Sequence, residues 1–295
     1  MRRFGNLLGS AFLALACFGM AFLPSPSPLA NDRNGRSETA TVIAVDNSRL
    51  QLHGLVEFGT QDLQVRLEDG TVRAASNELR AQLELDKKFA VGDTALVIVP
   101  AQDDGASPLV ARDHWRLGWA AVLFGAFSVL LVVFGGWTGA KALFSFVFSC
   151  FAVWKLMIPL CLKGWSASLV AFLTVAVLTL VIMYLVAGAT KKGAVAFGGA
   201  MLGVVASLGL AGFFGRVMNV NGATMPYAQA LLYSGYSFLD LQDVFFGAII
   251  LASSGAVMDL AMDIAAGLGE VTRHNSQLKF KELFASGLRM GRAVV

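Results

Sequence analysis

The sequence predicts an α-helical polytopic membrane protein of about six transmembrane helices, with a small extracytoplasmic β-barrel-like domain inserted after the first helix. Hydrophobic residues make up 56% of the 295 residues and charged residues only 15%, whereas soluble domains carry roughly 25% charged residues. The mean hydropathy is +0.65. Of the 20 acidic residues, 14 lie between Asp32 and Asp113, and none lies between His114 and Leu239. A polar insert is therefore followed by a long apolar region.

The first predicted element, residues 1–30, is a signal anchor. Arg2 and Arg3 precede an apolar run from Leu7 to Leu23, after which come three prolines. The run is at the short limit for a membrane span and longer than the core of a signal peptide. We therefore interpret it as an uncleaved anchor, with a cleaved signal peptide as the alternative. Both interpretations place the N-terminus in the cytoplasm and export the polar insert.

Residues 31–114 are predicted to form the β-rich domain. Thr39–Val45 and Ala95–Val99 are rich in β-branched and apolar residues, and Leu63–Leu67 alternates apolar with polar residues. Turn signals at Glu68–Thr71 and at Gly92-Asp93 separate these segments. Four or five short strands in about 70 residues fit a small barrel.

Three further features of this domain are predicted. Asn77–Leu85 is expected to be a helical or irregular crossover, and Gln102–Pro108 a polar linker. His53 and His114 have no ligand partners at useful spacing and are expected at the surface. The three cysteines, Cys17, Cys150 and Cys161, lie in or beside apolar runs, so neither a disulfide framework, a metal site nor a cofactor is predicted.

The apolar region, residues 115–270, is predicted to contain the remaining spans. Lys191-Lys192 would lie in a cytoplasmic loop, and the basic tail, residues 271–295, would be cytoplasmic. The connection Gly215–Gln242 is long for a turn, and two interpretations remain open: an interfacial helix, or a re-entrant flap over a cavity. Gly199 and Gly203 form a GxxxG pattern that predicts close helix packing. The spans are predicted near residues 117–134, 142–160, 168–187, 194–214 and 244–266.

The last span carries the candidate functional residues. Asp259, Asp263 and Glu270 fall within about 40° of one another on a helix. Ser253, Ser254 and Gly255 open this face with small side chains that would let another helix approach closely. Acids inside a span are costly and usually face a bundle interior or a wet cavity.

Depth along the span separates the roles of these acids. Asp259 lies about 22 Å from the start of the span, within a hydrocarbon core of about 30 Å, so we expect it to be buried. Asp259 and Asp263 are therefore candidates for proton or cation coupling, while Glu270 is expected at the interface. The alternative is that Asp259 hydrogen-bonds a neighbouring Ser or Thr. Lys155 is expected to extend toward the outer headgroups rather than pair with Asp259.

Two more acids, Asp240 and Asp243, lie at the outer end of this span. One interpretation is that they favour the helix N-terminus, where backbone amides are unpaired. The other is that they line an outer cation entrance.

Three sequence stretches, residues 59–70, 76–93 and 253–265, together resemble the YibE/F family of bacterial multi-pass membrane proteins. The resemblance implies an N-terminal anchor, an extracytoplasmic β-domain and a helical membrane domain in the bacterial inner membrane. Family members are often labelled permeases. Family chains usually continue into further spans after the Gly-Arg of residues 287–295, so the resemblance predicts a truncated form or one that lacks a partner hairpin.

The sequence leaves two hypotheses for function. The absence of HExxH, GxSxG and P-loop motifs argues against an enzyme, and the small net charge of +3 argues against a nucleic-acid partner. The first hypothesis is a permease or secondary transporter coupled at Asp259. The second is a non-transporting scaffold or assembly factor whose β-domain binds an envelope partner. The expected partners are the lipid bilayer and either a second copy or a partner membrane subunit.

Overall fold

The computed structural model describes residues 35–82, 86–100, 105, 107–188, 190–233, 235–274 and 279–294. The predicted signal anchor lies outside these described residues. The chain divides into two compact units. One unit contains the β-strands and ends at Phe127, and the described part of the other begins at Ser128 and is helical.

Five β-strands close into a barrel, which confirms the predicted barrel-like domain. β1 pairs with both β3 and β5, and β6 joins β5 to β4, so the order β1-β5-β6-β4-β3 returns to β1. β4 and β6 are parallel and the other pairs are antiparallel. The short β2 forms a hairpin on β3. The strands are β1 Gly35–Asp46, β2 Leu50–His53, β3 Val56–Leu67, β4 Val72–Arg80, β5 Thr94–Pro100 and β6 Leu109–His114.

Alternation of apolar and polar residues builds the barrel core. Along β3, Leu63, Val65 and Leu67 are buried while Gln64 and Arg66 face outward, because successive side chains of a strand point to opposite faces. Phe89 completes the core from the segment before β5. The core members are Ala40, Val42, Leu63, Val65, Leu67, Ala75, Phe89, Ala95, Val97, Leu109 and Ala111.

A buried polar pair explains one wrong prediction in this domain. Asn77 continues β4 and is buried, so the predicted crossover at Asn77–Leu85 is wrong for residues 77–80. Its amide donates to Gln61 Oε1 at 3.1 Å and to the Lys87 carbonyl at 2.6 Å. Gln61 in turn binds both backbone groups of Phe89 at 3.0 Å. These bonds satisfy polar side chains inside the barrel, which the polar sequence pattern could not reveal.

The strand β6 was not predicted, and it changes the setting of His114. His53 is exposed as expected. The prediction for His114 is wrong: its side chain is only 22% exposed, its ring centroid lies 4.4 Å from that of Phe89, and its Nδ1 lies 3.6 Å from Asp93. It is held there because β6 closes the barrel between β5 and β4.

Four helical stretches in the described chain are long and apolar enough to cross a membrane: Leu117–Leu162, Ala167–Val186, Lys191–Val217 and Leu241–His274. The first contains two predicted spans. It breaks at Gly136, whose φ of 53° and ψ of −132° are not helical, between the spans predicted near residues 117–134 and 142–160. The helices are α1 Leu117–Phe151, a π-helical segment Ala152–Met157, α2 Ile158–Leu162, α3 Ala167–Ala187, α4 Lys191–Val217, α5 Ala228–Tyr233, α6 Leu241–His274 and α7 Phe280–Val294.

Small residues bring α6 against α3 and α4. A Cβ on Gly203 would lie 2.6 Å from Val257, and one on Gly199 would lie 3.9 Å from Ala261, which confirms that the GxxxG pattern marks close packing. Gly247 of α6 is buried, and a Cβ there would lie 3.0 Å from the Ala167 carbonyl oxygen of α3. Helix α6 is therefore the centre of this bundle.

The connection between α4 and α6 packs onto the bundle. Ala228, at the start of α5, is only 3% exposed. Gly222 has a φ of +73° and lies against the backbone of Leu241 and Gln242. These contacts are compatible with both the interfacial helix and the re-entrant flap.

Candidate functional site

Helix α6 carries two groups of acidic side chains that the sequence selected. Its 34 residues correspond to about 51 Å of helix, which exceeds a hydrocarbon core of about 30 Å. Asp243 lies in the first turn, with Asp240 just before the helix, while Asp259 and Asp263 lie in its second half. The two groups are therefore separate sites.

The structure places Asp259 and Asp263 on the exposed side of α6. Among the residues that the structure describes, neither carboxylate has a hydrogen-bond or ion-pair partner. The expectation that helices of this chain bury Asp259 is therefore wrong for the described bundle, and so is the alternative of a neighbouring Ser or Thr. The reason is geometric. The α6 residues that contact α4 include Ala261 and Ala265. Asp259 and Asp263 each lie two residues from Ala261, so their side chains point about 160° away from it around the helix.

Of the small residues before the acids, Gly255 faces away from the bundle, while Ser253 and Ser254 are half-buried. Ser253 and Ser254 donate to carbonyls of their own helix, at 3.3 Å to Ile250 and 2.8 Å to Leu251. A Cβ on Gly255 would meet open space. At Gly255 the predicted close helix approach is thus not made by the described helices. The exposed side of α6 forms one surface, here called the carboxylate face: Ala252, Gly255, Ala256, Asp259, Asp263 and Ala266.

Glu270 belongs to a different environment from the carboxylate face. Its carboxylate lies 3.9 Å from Lys192 Nζ and 3.5 Å from Arg273 Nε, and its side chain is half exposed. Exposed ion pairs of this kind contribute little stability. The interfacial position expected for Glu270 stays a prediction.

Lys155 does not serve as the counter-charge of Asp259. It lies in the π-helical segment Ala152–Met157, where its Nζ is 4.9 Å from the ring centroid of Trp154. Single turns of π-helix are frequent at functional sites. The sequence analysis did not predict this segment, and only Pro159 shortly after it signals a disturbed helix.

A cavity of about 970 Å³ lies at the ends of α3, α4 and α6. It brings the predicted entrance residues Asp240 and Asp243 together with Arg216, which the sequence analysis did not single out as functional. Nothing in the sequence could have paired them, because they meet only through the packing of separate helices. Polar and aromatic members of the lining are Trp165, Ser166, Ser168, Phe213, Arg216, Phe238, Asp240, Gln242, Asp243 and Phe246.

Asp243 connects α6 to the start of α3. Its carboxylate accepts hydrogen bonds from the Ala167 amide at 2.5 Å, the Ser168 amide at 3.3 Å and the Ser168 hydroxyl at 2.5 Å. It thereby caps the N-terminus of another helix, where a carboxylate is favoured by unpaired amides and by the helix dipole. Asp240 instead caps its own helix, accepting from the Gln242 amide at 2.9 Å.

Replacing Asp243 by Ala is expected to destabilise the helical unit by about 2 kcal/mol, because two α3 amides and one hydroxyl lose their acceptor. Thermal unfolding of the purified protein in detergent measures this loss. Asp243→Asn retains one acceptor oxygen and should recover most of the stability. Equal losses in the two variants would mean that the charge, rather than the cap, stabilises this corner.

A comparison with protein families covers the helical region. The profile described as YibE/F-like protein matches residues 123–295, which is more than half of the chain. The chain belongs to the YibE/F-like family. No curated protein and no solved structure matches it.

The match confirms the family that the sequence motifs indicated. It includes the stretch 253–265 and therefore the carboxylate face, whereas the stretches 59–70 and 76–93 precede the matched residues. Together with the four long apolar helices, it indicates that this YibE/F-like protein is a membrane protein.

Proposed function

We propose that this YibE/F-like protein is a permease or secondary transporter that couples solute movement to protons or cations at Asp259, with Asp263 as a second coupling group. The observation that carries the proposal is the carboxylate face of α6. Two carboxylates lie on a membrane-length apolar helix and have no partner in the described bundle. Such residues commonly mark ion pathways and proton relays.

The carboxylate face needs a covering before it can work in a bilayer. An ionised carboxylate directed at lipid near the bilayer centre costs at least about 2.5–3.5 kcal/mol. The small residues Ala252, Gly255 and Ala256 leave room for another helix to approach. A second copy of the chain or a partner membrane subunit would complete the path along this face.

The cavity at the other end of α6 is the proposed entrance. Asp240 and Asp243 line it. Asp243 lies about 24 Å along the helix from Asp259. In the proposed topology the protein lies in the bacterial inner membrane, residues 31–114 are extracytoplasmic, and both termini are cytoplasmic. The cavity then opens to the outer side.

Substitution of Asp259 tests the coupling role. Purified protein is placed in proteoliposomes that hold a pH-sensitive dye, and ions and small metabolites are screened under an imposed proton gradient. We expect any flux carried by the native protein to fall to the level of empty liposomes in Asp259→Asn, and to be reduced in Asp263→Asn. Glu270→Gln is the matched control, because that exposed carboxylate is paired with Lys192 and Arg273.

A scaffold or assembly factor is the second candidate, and the barrel favours it. The hairpin of β2 and β3 exposes two large apolar side chains, Leu52 at 69% and Leu55 at 95%, which suits a protein partner in the envelope. Full function in Asp259→Asn, together with loss of function on deletion of residues 31–108, would favour this role over transport.

A further inference from the structure

Helix α7 presents an apolar ridge that the rest of the described helical unit does not cover. Phe280, Phe284 and Leu288 are 80%, 59% and 49% exposed, and they lie at intervals of four residues. The rings of Phe280 and Phe284 stack with their centroids 6.3 Å apart. At about 100° per residue the three side chains form one continuous stripe.

Cations border this ridge on one side. Around the helix axis, Lys281 and Arg292 lie within about 40° of Leu288, and Arg289 lies about 100° from it. Lys279 lies just before the helix. All four are exposed. Glu282 is the only acidic residue of α7. The exposed surface of this helix therefore combines an apolar stripe with a net positive charge.

Residues directly beside the ridge, together with Met290, pack α7 against α6. A Cβ on Gly267 would lie 2.9 Å from the Met290 sulfur, one on Gly287 would lie 3.4 Å from Leu268, and one on Gly291 would lie 3.6 Å from Ile264. These contacts occur 23 to 27 residues after the start of α6 at Leu241, which is about 35–40 Å along the helix. That is past the far end of a hydrocarbon core of about 30 Å. Contact with α6 thus places α7 at the level of the lipid headgroups.

We propose that α7 is an interfacial helix that binds the anionic phospholipid surface of the leaflet in which α6 ends. Phe280, Phe284 and Leu288 enter the boundary between headgroups and acyl chains, while Lys279, Lys281, Arg289 and Arg292 bind the headgroup phosphates. Helices with aromatic and Leu residues on one face and Lys or Arg beside it lie in the interface plane. Charge complementarity favours lipid over a second copy, because two copies meeting through this surface would bring their cations together.

Spin labels at two positions of α7 test the proposal in the full chain. Cys17, Cys150 and Cys161 are replaced by Ser, and a nitroxide is attached at Phe284→Cys or, as the matched control about 160° away, at Glu282→Cys. The protein is placed in nanodiscs of phosphatidylcholine alone or mixed with phosphatidylglycerol. Relaxation by oxygen reports contact with lipid, and relaxation by a nickel chelate reports contact with water.

We expect the label at 284 to respond mainly to oxygen in the anionic discs, and the label at 282 to respond to the nickel chelate. Replacing Lys281, Arg289 and Arg292 by Gln should lower the inserted population by about fivefold per cation. Zwitterionic discs should lower the inserted population as well, but by less. A label at 284 that water reaches in anionic discs overturns the proposal. Exclusion of both reagents would show a protein partner instead, and insertion independent of charge would exclude the role of anionic headgroups.

Discussion

Gly247→Leu is expected to disrupt the helical unit. The Cβ position of Gly247 is 3.0 Å from the Ala167 carbonyl oxygen and 3.5 Å from the Ala171 side chain, so a leucine must push α3 away from α6. Asp243 lies one turn earlier on the same side of α6, and its hydrogen bonds to the start of α3 would break together with the packing. Overpacking and the lost cap together amount to about 3–4 kcal/mol.

Gly198→Leu is the matched control for this prediction. Gly198 lies inside α4, is exposed, and has nothing within 4 Å of its Cβ position. Both substitutions replace Gly by Leu inside a helix and gain the same helix propensity, so their difference reports the contact alone. Thermal unfolding and size-exclusion profiles in detergent measure it. If Gly247→Leu were as stable as Gly198→Leu, α3 and α6 would not be packed at this point.

The sequence was sufficient to predict several elements of this fold, although not β6 or the π-helical segment. Runs of apolar residues of membrane length correspond to α3, α4 and α6, and the turn at Gly136 separates the two spans of the first stretch. Alternation in Leu63–Leu67 and the apolar, β-branched run Ala95–Val99 predicted strands that do line the barrel core. These patterns are local, and local patterns report the period of a helix or strand directly.

The orientation of the acids could not be predicted in the same way. The spacing of Asp259 and Asp263 shows that they share a face, but not which face of α6 meets its neighbours. That choice is made by Gly247, Ala261 and Ala265, where α3 and α4 pack. The usual rule that membrane acids face inward assumes that all covering helices are counted, and in the described bundle they face out.

The capping role of Asp243 is a second feature that the sequence could not predict. One of the two interpretations of Asp240 and Asp243 was that they favour the N-terminus of their own helix, and Asp240 does so. Asp243 instead binds amides 75 and 76 residues earlier in the sequence. Such a bond depends on where two helix ends meet in three dimensions, and residue spacing within one helix carries no information about it.

The connection that packs beside the cavity gives the second large effect. Gly222→Ala is expected to destabilise the helical unit by about 3 kcal/mol or more. Its φ of +73° already disfavours any residue with a Cβ, and that Cβ would lie 2.5 Å from the carbonyl carbon of Leu241 and 3.0 Å from the Gln242 nitrogen. These atoms belong to the backbone at the start of α6, so no side-chain rotation can relieve the clash.

Gly164→Ala separates the two causes of this loss. Gly164 also has a positive φ, +86°, and it lines the same cavity, but its Cβ position meets only the Phe238 ring at 3.7 Å, an ordinary contact with a side chain that can move. This variant should therefore lose only the cost of the left-handed conformation, about 1–2 kcal/mol. Thermal unfolding measures the stability of both variants. The extra stability lost in Gly222→Ala then reports the energy of the packing between the connection and α6. Equal losses would mean that Gly222 does not close onto the backbone of Leu241 and Gln242.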